Sequence, residues 1–136
     1  MLAFNVFMIG FVLICLAGMI LPTTLRRAAW NRTMTHVLIG NVSGAMNAHH
    51  QAVGSYPTGS LVQISEALRG SNRLGLIFLN VSPKHLGPSG ELLDAWKRPV
   101  QIIQTNAASP KVYSFGPDGH DDGGAPGSDD LVVVAR

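Results

Sequence analysis

LAFNVFMIGFVLICLAGMIL, residues 2–21, is the stretch that decides the fold, because it carries no charge and its one strongly polar side chain is Asn5. At a helical rise of about 1.5 Å per residue, a run of this length extends about 30 Å, the thickness of the hydrocarbon core of a bilayer. A cleaved signal peptide would have a basic start and a shorter apolar run. The stretch therefore predicts a transmembrane helix that is retained in the mature protein.

The chain beyond this stretch has no proline between Pro22 and Pro57, which predicts that the helix continues outside the bilayer to Tyr56. At about 100° per residue, its apolar side chains fall into two stripes. The first stripe comprises Trp30, Met34, Val37, Leu38, Ala45, Ala48 and Ala52, and the second comprises Ile39, Val42, Met46 and Val53. One stripe can cover a small domain of the same chain, and the other then needs a separate partner.

A short second helix is predicted after Pro57. Ser60 is a residue type that caps helix N-termini, and Gly70 is one that ends helices. The apolar residues between them recur at helical spacing and are Leu61, Ile64 and Leu68.

The C-terminal part of the chain has the pattern of a small sheet. LLDAWKRPVQII (92–103) and PKVYSFG (110–116) predict the two strands of a hairpin, and 131–134 predicts a closing strand. We therefore expect an α+β fold, in which a long N-terminal helix packs against a small C-terminal antiparallel β-sheet with a short second helix. The predicted parts are a transmembrane segment at 1–22, its amphipathic continuation at 23–56 and a globular head at 57–136.

The charges of the chain are unevenly placed, although the net charge of +2 gives no general argument for nucleic acid binding. The segment from Pro22 to Tyr56 carries three arginines and no acid, whereas five of the eight acids lie between Asp118 and Asp130. Cys15 is the sole cysteine, which excludes an intramolecular disulfide. The chain contains no Gly-x-Ser-x-Gly sequence and its histidines are scattered, so we expect a protein that is not an enzyme.

The acidic segment PDGHDDGGAPGSDD, residues 117–130, is the strongest candidate for a binding site. Its carboxylates supply the hard oxygen ligands that Ca²⁺ prefers, and its glycines allow backbone carbonyls to converge. Like charges at this density repel one another unless a cation neutralises them. A solvated acidic turn is the alternative.

The order of these features resembles the type IV pilin superfamily, and most closely the major pseudopilin of type II secretion. The resemblance rests on the apolar stalk with Pro22, on Tyr56-Pro57-Thr58 after the stalk, on Asp94-Ala95-Trp96, and on Tyr113 to Gly119 leading to Asp129-Asp130-Leu131. It implies a pilin-like fold and a calcium ion bound in the acidic loop. The ligands that it implies are Asp118, Asp129 and Asp130 with the backbone carbonyl of Phe115, and Asp121 and Asp122 are further candidates.

The resemblance also concerns the start of the chain. Pro22 lies where mature family members typically have a proline, which implies that Met1 is the first mature residue; if Met1 is the initiator, the chain is a plain membrane anchor. The acid that the family usually has at the fifth position is here Asn5. An amide can accept a hydrogen bond from a neighbouring N-terminal ammonium but cannot cancel its charge. Met1, Asn5 and Pro22 are therefore the residues expected to govern assembly.

The function implied is that of a structural subunit, which polymerises through its N-terminal helix into a pilus-like or type II secretion pseudopilus filament. The implied location is the bacterial inner membrane with the head in the periplasm. The implied partners are membrane lipid before assembly, copies of the same chain, other pilin-like subunits and the inner-membrane assembly machinery, without nucleic acid. The alternative is a non-polymerising, membrane-anchored binding protein or minor pilin-like protein.

Overall fold

The computed structural model describes residues 2–104, 109–125 and 127–135, with side chains from Thr23 onward. The Cα positions divide the chain into two compact units, Met1–Asn31 and Arg32–Arg136. The fold is α+β, as predicted, with a long N-terminal helix, a short second helix and a three-stranded antiparallel sheet.

The first helix, α1, spans Leu2–Val53. In the second unit one face of α1 is buried, and this face combines three members of the second predicted stripe with Leu38 and Ala45 of the first. Its buried residues are Thr35, Leu38, Ile39, Val42, Ser43, Ala45, Met46 and His49. Several members of the first stripe are exposed, among them Val37, Ala48 and Ala52. The head therefore covers residues of both predicted stripes and leaves part of the first stripe uncovered.

The second helix, α2, spans Leu61–Leu68 and begins with the predicted cap. The Ser60 hydroxyl accepts a hydrogen bond from the Gln63 backbone N–H at 3.3 Å, and the Gln63 side chain accepts one from the Ser60 N–H at 2.8 Å. This reciprocal pair is a capping box, which satisfies two amide groups that would otherwise lack partners at the start of the helix. Gly70, with φ of 120°, follows the last turn as predicted.

The segment between α2 and the sheet is mostly irregular and contains a single 3₁₀ turn at Pro83–His85. Part of it is extended and crosses the end of α2, where the amides of Phe78 and Leu79 both donate to the Leu68 carbonyl at 2.9 Å. Leu79 is buried by this contact, whereas Ile77 is 70% exposed.

The sheet contains β1 (Gln101–Ile103), β2 (Lys111–Ser114) and β3 (Leu131–Val134) in the order β1-β2-β3. Both pairs are antiparallel, and Tyr113 of the central strand lies opposite Gln101 on one side and Val132 on the other. The hairpin and the closing strand are thus confirmed. The long connection between β2 and β3 is the acidic loop.

The first predicted strand is shorter than expected, because the sequence from Asp94 to Pro99 makes a turn before β1. Lys97 has a φ of 67°, a conformation that interrupts a strand, and Pro99 has no N–H to donate to a sheet. Around this turn the described residues form isolated β-bridges and no further strand; the bridges pair Leu86 with Leu92 and Leu93 with Pro99. Trp96 lies half-buried in this turn.

The hydrophobic core of the second unit joins side chains from both helices and the sheet. Its buried members are Leu38, Ile39, Val42, Ala45, Met46, Ile64, Leu68, Leu79, Leu92, Val100, Val112 and Ala135. This core fixes β2, and β2 in turn fixes the first end of the acidic loop.

Candidate metal centre

The acidic loop leaves β2 after Ser114 and enters β3 at Leu131, two residues that lie opposite each other in the sheet. Its two ends approach so closely at Gly116 that a side chain there would collide with the Asp129 carbonyl, and Gly116 also has a φ of 66°. Only glycine meets both conditions without strain. The strand pair and this close approach bring the two ends of the acidic segment together.

Three carboxylates converge in the closed loop, those of Asp122, Asp129 and Asp130. One oxygen from each lies within 4.8 Å of the other two. Two oxygens on opposite sides of a Ca²⁺ ion are separated by about 4.6–5.2 Å, since each Ca–O distance is about 2.3–2.6 Å. The three oxygens therefore lie close enough together to share one coordination shell.

Asp130 supports this interpretation most directly. Its Oδ2 accepts a hydrogen bond from the Gly124 N–H at 2.7 Å. Its Oδ1 is buried and has no hydrogen-bond partner among the residues that the structure describes. A buried carboxylate oxygen without a partner is costly, and a bound cation is one group that would satisfy it. The residues present therefore fit a hard divalent cation.

The other predicted ligands have different environments. Asp118 accepts the His120 N–H at 2.8 Å through Oδ1, and its own N–H donates to Asp129 Oδ2 at 3.3 Å. Asp121 accepts the Gly123 N–H at 2.9 Å. Phe115 packs its ring edge against Tyr113, with ring centroids 5.8 Å apart. The structure thus brings Asp129 and Asp130 together as expected, and the third member of the trio is Asp122.

Two side chains of β2, those of Tyr113 and Lys111, form hydrogen bonds with the acidic loop. The Tyr113 hydroxyl donates to the Asp121 carboxylate at 3.4 Å. Burial raises the pKa of Tyr113, and the negative charge of Asp121, the hydrogen bond to it and the charge of Asp130 raise this pKa further. The Lys111 ammonium lies 5.3 Å from the centre of the Tyr113 ring and donates to the Gly123 carbonyl. Lys111 therefore places a positive charge beside the loop.

A turn at Asp94–Arg98 supports the loop from its other side. Asp94 is fully buried; its Oδ1 accepts the N–H groups of Trp96 and Arg98 at 2.8 and 2.9 Å, and its Oδ2 accepts the Ser114 hydroxyl at 2.7 Å. The Arg98 guanidinium donates to the carbonyls of Gly116 and Pro117 at 2.6 and 3.0 Å. The turn therefore holds the first residues of the acidic loop in place.

Sequence reasoning missed these roles of Asp94 and Arg98. The sequence indicates Asp94 only through the pilin resemblance and indicates no role for Arg98. The available signal was an aspartate followed by a backbone-reversing segment, because Asp side chains commonly accept hydrogen bonds from amides two to four residues later.

A second surface lies along the exposed face of α1. A groove of about 350 Å³ runs beside this face, between Gly40, Gly44 and Ala48 on the helix and the extended residues 78–80. A Cβ atom added at Gly40 or Gly44 would meet none of the described atoms within 4 Å, apart from nearby helix backbone and chain neighbours. Val37, one turn earlier, is 51% exposed. The groove is open, its helix side carries small residues, and the exposed Asn41 and Asn80 also line it.

The structure does not test the predicted assembly residues. Met1 lies outside the described residues, and the side chains of Asn5 and Pro22 are not described. From Thr23 onward, where side chains are described, no helix combines the length and the apolar character needed to cross a bilayer. The predicted membrane segment precedes this part of the chain and stays a prediction.

Comparisons with known proteins found no matching family model, no matching curated protein and no matching solved structure.

Proposed function

We propose that this protein is a structural subunit that polymerises through α1 into a type IV pilus-like or type II secretion pseudopilus filament. The observation that carries the proposal is the uncovered face of α1 around Val37, Gly44 and Ala48. An exposed apolar side chain such as Val37 gains free energy when it is buried against another surface. Small residues allow the backbone of a second helix to approach closely, as they do between helices in lipid.

The proposed partner for this face is α1 of another copy of the same chain. In a filament the exposed face would meet a different surface of the next copy, and such a heterologous contact repeats without closing. Repetition of this kind gives a filament. The apolar residues 2–21 would anchor the subunit in the inner membrane, with the head in the periplasm, before the assembly machinery and other pilin-like subunits draw it into the filament.

Calcium has a structural role in this proposal. Asp122, Asp129 and Asp130 would hold the ion, and Asp118, Asp121 and the Phe115 carbonyl are further candidate ligands from the sequence. The ion would neutralise part of the loop charge and satisfy the buried Asp130 oxygen. With the ion bound, the loop would keep a single conformation in which it contacts the heads of neighbouring subunits. In this proposal the protein has no catalytic role.

The substitution Gly44→Leu tests assembly without disturbing the fold of one copy. The new side chain points into open space. Leucine also has the higher helix propensity, by up to about 1 kcal/mol relative to glycine. We expect an unchanged or slightly raised melting temperature of the isolated subunit and a loss of filaments in electron micrographs.

Glu66→Leu provides the matched control, because Glu66 is exposed on α2 and does not line the groove. This variant should form filaments of normal length. Normal filaments from Gly44→Leu would show that the groove is not an assembly surface. A wild-type chain that stays monomeric under every assembly condition would instead support the membrane-anchored binding protein.

A further inference from the structure

A short segment at the start of the described side chains differs from the rest of α1, since every residue from Thr23 to Trp30 is exposed. Within it lie two large apolar side chains, Leu25 at 67% exposure and Trp30 at 62%. Two arginines, Arg26 and Arg27, lie between them. We call these four residues the collar.

Helical geometry groups three members of the collar. Trp30 follows Arg26 by four residues and Arg27 by three, the two spacings at which side chains on a helix surface are neighbours. Helical side chains lean toward the N-terminus, so the indole covers the turn that carries the arginines. An aromatic ring and two guanidinium groups therefore share one side of the helix.

The position of the collar matches the boundary of a membrane. Arg26 follows the last residue of the apolar run, Leu21, by five positions, or about 7.5 Å along a helix. The headgroup region on each side of a bilayer is about 5–8 Å thick, which is half the difference between the total thickness of the bilayer and that of its hydrocarbon core. Tryptophan is enriched in this region, and long cationic side chains extend into it.

The charge of the segment selects the kind of headgroup. No acid occurs between Pro22 and Tyr56, and Arg32 adds a third cation close to the collar. The guanidiniums of Arg26 and Arg27 thus have no carboxylate neighbour on this part of the helix. Guanidinium is planar and matches the geometry of phosphate oxygens, which it binds through paired hydrogen bonds.

We infer that the collar binds the headgroups of anionic phospholipids on the side of the membrane where the head emerges. The inference rests on the insertion of residues 2–21 that the proposed function assumes, and it adds the lipid class and the residues that bind it. Trp30 and Leu25 contact the glycerol and upper acyl region, while Arg26 and Arg27 bind the phosphates. The same contacts must be released when the subunit leaves the membrane.

The test uses full-length protein with Trp96→Phe, so that Trp30 is the single tryptophan, in phosphatidylcholine vesicles with a minor fraction of phosphatidylglycerol. Bromine, which quenches tryptophan fluorescence, is attached to the acyl chains of either the anionic or the zwitterionic lipid. We expect brominated phosphatidylglycerol to quench Trp30 about thirtyfold more per molecule, the factor that two arginines at roughly 1 kcal/mol each provide. Arg26→Gln with Arg27→Gln should make the two lipids equal.

Arg69→Gln with Lys84→Gln is the matched control, because it removes the same charge from exposed positions of the head. This control should retain the preference; its loss would show that head charge, and not the collar, selects the lipid. Flotation of the vesicles reports insertion independently. Equal quenching by both lipids in protein that floats would overturn the collar and leave insertion intact. Protein that floats with neither vesicle would overturn the membrane part of the proposed function and the collar with it.

Discussion

Asp94 is the residue on which the local order of the head depends most. It is fully buried, and both of its oxygens accept hydrogen bonds from within the turn or from β2. A buried carboxylate is stable only when donors of this kind surround it. The residues around Asp94 do not predict that it is buried, because an aspartate before Ala-Trp-Lys-Arg is equally compatible with an exposed turn.

Replacing Asp94 by alanine should be among the most destabilising single changes in the head. The substitution leaves the Ser114 hydroxyl and the amides of Trp96 and Arg98 without their acceptor, and we expect a loss of about 3 kcal/mol in the free energy of unfolding. Asp94→Asn keeps the shape and one acceptor oxygen, so it should cost about 1 kcal/mol. Urea unfolding measures both; equal costs would show that hydrogen bonding at this site is unimportant.

Tyr113 predicts a specific pH dependence. Its pKa is raised in the folded state, so between its unfolded value of about 10 and its folded value the native protein binds the proton more tightly. Tyr113 therefore makes its full contribution to the free energy of unfolding below about pH 10. This contribution is lost as the pH rises through the pKa of Tyr113 in the folded state.

Melting temperatures of the wild-type protein and of Tyr113→Phe, measured from neutral to strongly alkaline pH, test the direction of this pH dependence. The variant should lose less stability above about pH 10 than the wild type. Tyr56→Phe is the control, since the Tyr56 hydroxyl donates to the Asn47 amide oxygen and not to a carboxylate. Parallel curves for wild type and Tyr113→Phe would contradict the prediction.

At the scale of elements, α2 was predictable because its signals are local. Ser60, the apolar spacing and Gly70 all lie within a dozen residues, and the structure contains the predicted cap and stop. The first strand of the hairpin is shorter than predicted for two reasons. Pro99 is a local signal against a continuous strand, and the turn that begins at Asp94 is also held by a hydrogen bond from Ser114 of β2, a tertiary contact that residues 92–103 do not encode by themselves.

The capping box should contribute measurably to stability. Ser60→Ala removes the acceptor for the Gln63 amide, and we expect a loss of about 1 kcal/mol in the free energy of unfolding. Ser89→Ala is a suitable control because Ser89 lies exposed in a turn. Chemical denaturation distinguishes the two; an equal effect of both changes would argue against a capping contribution.

The acidic loop is the element for which the sequence indicated the chemistry but not the arrangement. Five aspartates within a glycine-rich segment indicated a cation site, whereas the choice of Asp122 over Asp118 as the third member of the trio depends on how the glycines reverse the chain. The close approach of Gly116 to Asp129 is part of that reversal.

Calcium should stabilise the head, by about 2.7 kcal/mol when the free ion exceeds its dissociation constant a hundredfold. Asp122→Asn should abolish the calcium-dependent rise in melting temperature. Asp118→Asn should retain most of it, whereas the ligand set implied by the pilin resemblance requires the reverse.

Glu66→Gln controls for the loss of one negative charge, because Glu66 is exposed on α2. Melting temperatures measured with calcium and with a chelator give the comparison. Identical values under both conditions for the wild type would remove the metal from the proposed function.

At the scale of the whole molecule, the sequence predicted two apolar stripes on the helix but could not assign them. The head buries Ile39, Val42 and Met46, and it leaves Val37 and Ala48 exposed. This choice follows from the shape of the core, in which α2 and the sheet meet one side of α1. The exposed part of the first stripe is therefore the feature that a single copy of the chain does not explain.

In the proposed filament, the turn at Asp94–Arg98 would transmit mechanical force between α1 and the acidic loop. On one side the Ala95 N–H donates to the Thr35 hydroxyl of α1 at 3.1 Å, and on the other Arg98 binds the first carbonyls of the acidic loop. Tension along the helices of a filament would load this polar connection together with the apolar contacts of the core. A cation that stiffens the loop would then also raise the force at which a head detaches from its own helix.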